Sequence, residues 1–84
     1  MAVCPEWLAR RQGALELSTD GHTWFVVFDQ RPQYALEARP AQGRFSCHVK
    51  ETISGRRIDS HGAYVNADEA IRGGLEDLRK ALGW

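Results

Sequence analysis

The stretch from Asn66 to Gly83 marks both of its own ends as a helix, and this constrains the chain more than any other feature. Asn66 is a good N-cap, and Glu69 falls three positions later, where its side chain can return to the backbone N–H of the cap. Asp68 and Glu69 occupy the first turn and Arg79 and Lys80 the last, so charge matches the helix dipole at both ends. Ala67, Ala70, Ile71, Gly74, Leu75, Leu78 and Leu82 recur at three- and four-residue spacing and draw one apolar stripe. Gly83 is placed to close the helix in a left-handed conformation, with Trp84 folding back on Leu78. The spacing predicts a helix over about Ala67 to Leu82 that needs an apolar surface to lie on. Gly73 and Gly74 oppose it, each costing roughly 1 kcal/mol relative to Ala. Gly74 lies on the stripe, which implies close approach of the helix backbone to that surface, over a bulky ring.

The surface has to come from the residues before Asn66, and these read as strands. Asp20-Gly21 is a strong hairpin signal that pairs Leu17 with Trp24 and Leu15 with Val26. Pro40-Ala41-Gln42-Gly43 reads as a turn setting Ala38 against Phe45, Leu36 against Cys47 and Tyr34 against Val49. Ser54-Gly55 is a weaker hairpin signal that places Lys50 opposite Asp59, His48 opposite His61 and Phe45 opposite Tyr64. The connection from Gln30 to Gln33, containing Pro32, has no defined length. Pro5 to Gln12 reads as a short helical turn with Trp7 and Leu8 as apolar anchors.

These registers agree on parity, a real check because a slip of one residue swaps every side chain between faces. One face collects Leu15, Leu17, Trp24, Val26, Phe28, Tyr34, Leu36, Ala38, Phe45, Cys47, Val49, Ile58 and Tyr64, and it is the face the helix should cover. The other collects Glu16, Ser18, Phe25, Val27, Glu37, Arg39, Arg44, Ser46, His48, Lys50, Arg57, Asp59 and His61. The expected class is α+β: an antiparallel β-meander of four to five strands, packed on one face by the C-terminal α-helix, with a short N-terminal helical turn. With 84 residues there is room for one core, divided into an arm at 1–13, a sheet at 14–65 and the helix at 66–84.

Composition bounds the function classes. Lys plus Arg and Asp plus Glu are 11 each, so phosphate binding can arise only from local segregation of charge. Met1 to Trp7 lacks a basic region followed by an apolar stretch, and the longest apolar run, Trp24 to Phe28, is far short of a membrane span. Cys4 and Cys47 are widely separated and form no Cys-x-x-Cys, which points to free thiols in a reducing cytoplasm, a Cys4–Cys47 disulfide being the alternative.

Enzymatic readings find little. Cys47 and His48 are adjacent on a strand and point to opposite faces, so they cannot act as nucleophile and base. No Gly-x-Ser-x-Gly surrounds Ser54, and no glycine-rich loop leads from a strand into a helix. No cofactor or metal is expected. The most chemical-looking group is His48 opposite His61 with Asp59 diagonal, a set that suits a transition-metal ion or a pH sensor, on an inferred register alone.

Two binding readings remain, both on the polar face. Phe25 and Val27 are apolar residues there; either Trp7 and Leu8 cover them, or they anchor a partner or a second copy, with Arg44, His48 and Lys50 at the rim. Arg39, Arg44, Lys50, Arg56 and Arg57 form the alternative, a basic strand face and hairpin tip near an exposed ring, one way single-stranded nucleic acid is held. The ordinary account of the same charges is a solvated face with Lys50 and Asp59 as a cross-strand pair.

Strands followed by a helix that opens Asp68-Glu69-Ala70 resemble two groups of small bacterial domains, antitoxin-type domains with a truncated ribonuclease-H-like fold and the three-stranded DNA-binding domains of some integrases. The likeness covers about the last forty residues and is one of topology, so it carries over no functional residue. The expected function is a non-enzymatic binding or regulatory module acting through the open sheet face, with a homodimer as its simplest form and nucleic-acid binding as the alternative.

Overall fold

A computed structural model describes residues 4–58 and 62–84. The elements run α1 (Glu6–Ala9), β1 (Ala14–Leu17), β2 (Thr23–Phe28), β3 (Arg31–Ala41), β4 (Arg44–Glu51) and α2 (Ala67–Leu82). The four strands form one antiparallel sheet in the order β1-β2-β3-β4, with α2 packed against β3 and β4. The α+β meander expected from the sequence is therefore the fold.

Each hairpin register has a local cause. Between β1 and β2, Leu17 faces Trp24 and Leu15 faces Val26, as Asp20-Gly21 implies. Asp20 Oδ1 accepts hydrogen bonds from the backbone N–H of His22 at 2.9 Å and from Ser18 Oγ, and Gly21 takes φ of 77°. Between β2 and β3, Phe28 faces Arg31, so the loop is only Asp29-Gln30, with φ of 51° and 64°. Two successive left-handed residues make the turn whose twist suits a two-residue hairpin, built here without glycine. A bulge follows between Val26 and Val27, where the carbonyl oxygens of Pro32 and Gln33 accept from Thr52 Oγ1 and from its N–H, at 2.5 and 2.9 Å.

The β3–β4 register differs from expectation. Leu36 faces Val49, Ala38 faces Cys47 and Tyr34 faces Glu51, a slip of two residues from the pairs expected. Gln42-Gly43, with φ of 52° and 80°, suffices for the turn, so Pro40 and Ala41 stay in the strand. A slip of two preserves the face of every side chain, and the two expected faces stand. The fifth strand is reduced, among the described residues, to isolated bridges: Phe45 with Tyr64, as expected, and Lys50 with Arg57 where Asp59 was expected opposite Lys50.

The core lies between the inner face and α2. Leu36, Val26, Cys47 and Val49 meet Ala70, Ile71, Leu75 and Leu78, with rings from Trp24, Phe28, Tyr34, Phe45 and Tyr64 around them. Leu17, placed on this face by the sequence, lies at its edge and is 45% exposed. Gly74 rests on Cys47, not on a ring; the ring, that of Tyr64, lies under Gly73. Asn66 Oδ1 accepts from the N–H of Glu69 at 2.8 Å, and Gly83 closes the helix at φ of 75°. Its N–H bonds to Lys80 O and that of Trp84 to Arg79 O, a Schellman closure. Trp84 does fold back, but its ring meets Trp7 and Phe28, at centroid distances of 5.9 and 5.7 Å, with the Arg11 guanidinium over its face at 4.2 Å. Cys4 and Cys47 are free thiols, the latter buried.

Candidate functional site

Where the N-terminal segment packs decides what the sheet leaves open. Leu8 is fully buried in the core cluster, and Trp7 stands against Trp84, just past the end of α2, so α1 lies on the helix side of the sheet. Gly13 makes the approach possible, since a side chain there would collide with Leu8 and Phe28. Of the two fates open to Phe25 and Val27, coverage by Trp7 and Leu8 is therefore not the one realised.

The other face is ordered by the strand register. One row across the sheet reads Glu16, Phe25, Ala35, Lys50, Arg57, each directly opposite the next. On one side of it runs Thr23, Glu37, His48, and on the other Ala14, Val27, Pro32. Ala35 contributes only a methyl between longer neighbours, and a shallow depression of about 520 Å³ opens above it. Phe25, Glu37, Arg39, His48, Lys50, Thr52 and Arg57 form its walls. A second depression, of about 440 Å³, continues past Phe25 to Val27, Pro32 and Leu17. Phe25, half-buried, borders both. No residue of 4–13 lines either one.

Polar groups on this face are partly matched to each other. Glu37 and Arg39, two positions apart on β3 and so on one face, form an ion pair at 3.0 Å. Arg57 Nη2 lies 2.5 Å from His48 Nδ1. A guanidinium has no acceptor, so Nδ1 accepts and the ring proton belongs on Nε2.

The expected contact residues Phe25, His48 and Lys50 border the larger depression, and Val27 borders the smaller. Arg44 lies apart from both, at the β3–β4 turn opposite Ala41. Of the nucleic-acid set, Arg39, Lys50 and Arg57 share the larger depression, whereas Arg56 acts electrostatically on Tyr34, a residue of the helix side. His61 and Asp59, expected to join His48 around a metal, lie outside the described residues. Among the described residues no group of His, Cys, Asp and Glu is arranged to hold a metal ion, and no helix is long and apolar enough to cross a membrane.

Sequence reasoning placed the charges but missed Ala35, Thr23 and Thr52 as parts of the depression. Ala35 was within reach: it falls opposite Phe25 once Asp29-Gln30 is read as a two-residue turn and Gln33 as a bulge. Comparison with protein-family models, with curated proteins and with solved structures finds no match.

Proposed function

We propose that this chain is a non-enzymatic, cytoplasmic binding module that works through the open face of its sheet, with a symmetric homodimer as its simplest form. One observation carries the reading: α1 lies on the helix side of the sheet, so half-buried Phe25 and exposed Pro32, with Val27 and Ala35 shielded among their neighbours, have no cover from residues 4–13. An apolar strip with a polar rim is the usual signature of a contact surface, and a second copy is the commonest way for a small protein to bury one. In sedimentation equilibrium the wild type should be dimeric and Phe25→Asp monomeric, with amide dispersion unchanged. A monomeric wild type at all concentrations removes the homodimer.

A second reading has a specific observation in its favour, the convergence of Arg39, Lys50 and Arg57 on the depression that Phe25 borders. Cations beside a ring suit single-stranded nucleic acid. It requires salt-sensitive binding of an oligonucleotide. The absence of chemical-shift changes on β3 and β4 during a low-salt titration eliminates it.

A further inference from the structure

The order of side chains along the central row says more about what lies on it. The row begins at Glu16, passes the Phe25 ring and the Ala35 methyl, and ends at Lys50 and Arg57. It is acidic at one end, apolar in the middle and basic at the other end, where Lys50 and Arg57 stand opposite one another. We infer that the larger depression takes an extended protein segment laid across the strands, with an apolar side chain over Ala35 against Phe25 and a carboxylate at Lys50. This rests on the reading of the open face as a binding surface and names the chemistry of its partner.

Spacing sets the partner's pattern. Adjacent strands lie about 4.8 Å apart and an extended chain advances about 3.3 Å per residue. From Phe25 across Ala35 to Lys50 is two strand spacings, on the order of 10 Å. The apolar residue sits between Phe25 and Ala35 and the carboxylate at Lys50, one to two strand spacings away. Only residues two positions apart share a face of an extended chain over that reach, so the matching ligand carries them at i and i+2. Charge favours such a segment over a nucleic-acid strand. Phosphates recur at every nucleotide and call for a track of cations, whereas this row gathers its cations, Lys50 and Arg57, at one end and carries Glu16 at the other, and Glu37 answers Arg39 beside it. A peptide with a single acid fits that polarity.

The test uses the full chain at low micromolar concentration and a blocked, unstructured peptide, Ser-Ser-Leu-Ser-Glu-Ser, with its Glu→Gln counterpart. Saturable shifts at the amides of Phe25, Ala35 and Lys50 are expected, weakening with salt. The Gln peptide and the Lys50→Gln protein should each bind about fivefold more weakly, the effect of one exposed charge pair. Equal binding of the two peptides overturns the inference, as does salt-dependent binding of oligothymidylate at these amides with no response to peptide. Loss of self-association in Phe25→Asp, together with a peptide that shifts nothing, overturns it while leaving the contact-surface reading in place. A face that answers neither to dilution nor to peptide overturns both.

Discussion

The backbone of Gly74 on α2 lies directly against the side chain of Cys47 on β4. A methyl at position 74 would overlap Cys47 Sγ and come within 3.1 Å of Cys47 Cβ and 3.2 Å of Leu36 Cδ2. Cys47 and Leu36 are both fully buried, so neither has free space to retreat into. Alanine gains roughly 1 kcal/mol of helix propensity over glycine, and overpacking costs about 1–3 kcal/mol. Gly74→Ala should therefore destabilise the fold, by up to about 2 kcal/mol. Cys47→Ala clears the space, so the double variant should be more stable than the sum of the single changes by about 1 kcal/mol or more. Urea unfolding of the four proteins checks this, and strict additivity contradicts the contact. Gly73→Ala should cost less, because its obstacle is the outer end of the half-buried Tyr64 ring.

Trp84 joins the two ends of the described chain. Its ring packs on Trp7 and Phe28 and carries the Arg11 guanidinium, while its N–H completes the closure of α2. A helix as short as α1 has no stability of its own and depends on such cover. Trp84→Ala should cost about 2–3 kcal/mol, below the value for a fully buried ring. It should also speed hydrogen exchange at the amides of Leu8, Arg11 and Gly13 more than at the strands. Uniform acceleration across the chain would mean that the ring stabilises the fold as a whole without holding α1 in place.

What was legible in the sequence follows from the range of the interactions. The ends of α2 depend on residues within five positions, Asn66 with Glu69 and Gly83 with Lys80, and both were readable. The two sheet faces were readable because parity survives an error of two residues, as the β3–β4 register demonstrates. The side taken by α1 was not, since Trp7 and Leu8 offered apolar contact to either face and only packing against Trp84 and Phe28 decides between them. The floor of the candidate site was missed for a local reason: Asp29-Gln30 turns without the glycine that announces such turns.

That turn is a source of correctable strain. Asp29 and Gln30 both sit at positive φ, 51° and 64°, a conformation that disfavours a residue with a Cβ. Gln30 is exposed, and its side chain has no part in the core. Gln30→Gly should stabilise the protein by about 0.5–1 kcal/mol, the relief of left-handed strain less the added freedom of the unfolded chain. Thermal unfolding measures it. Gly43→Ala, at φ of 80° in the neighbouring hairpin, should move the other way by a similar or larger amount. A loss of stability in Gln30→Gly would show that the glutamine makes a contact worth more than the strain.

Tyr34 ties a small part of the stability to pH above 10. Burial against the core raises its phenol above the ordinary 10.0, the Glu51 carboxylate opposite it adds to the shift, and Arg56 opposes it. The folded state thus holds the phenolic proton more tightly than the unfolded chain does. Its contribution to stability is complete below about pH 10 and is lost as pH rises from there through the folded value. Stability should accordingly fall with pH above 10, and less steeply in Tyr34→Phe. Glu51→Gln should bring the phenol part of the way back, since burial is the larger cause, and Arg56→Gln should raise it further. The ring carbon resonances of Tyr34, followed through an alkaline titration of the three proteins, report each value. A Tyr34 that titrates at or below 10.0 in the wild type would place its hydroxyl in water and refute the packing that burial implies.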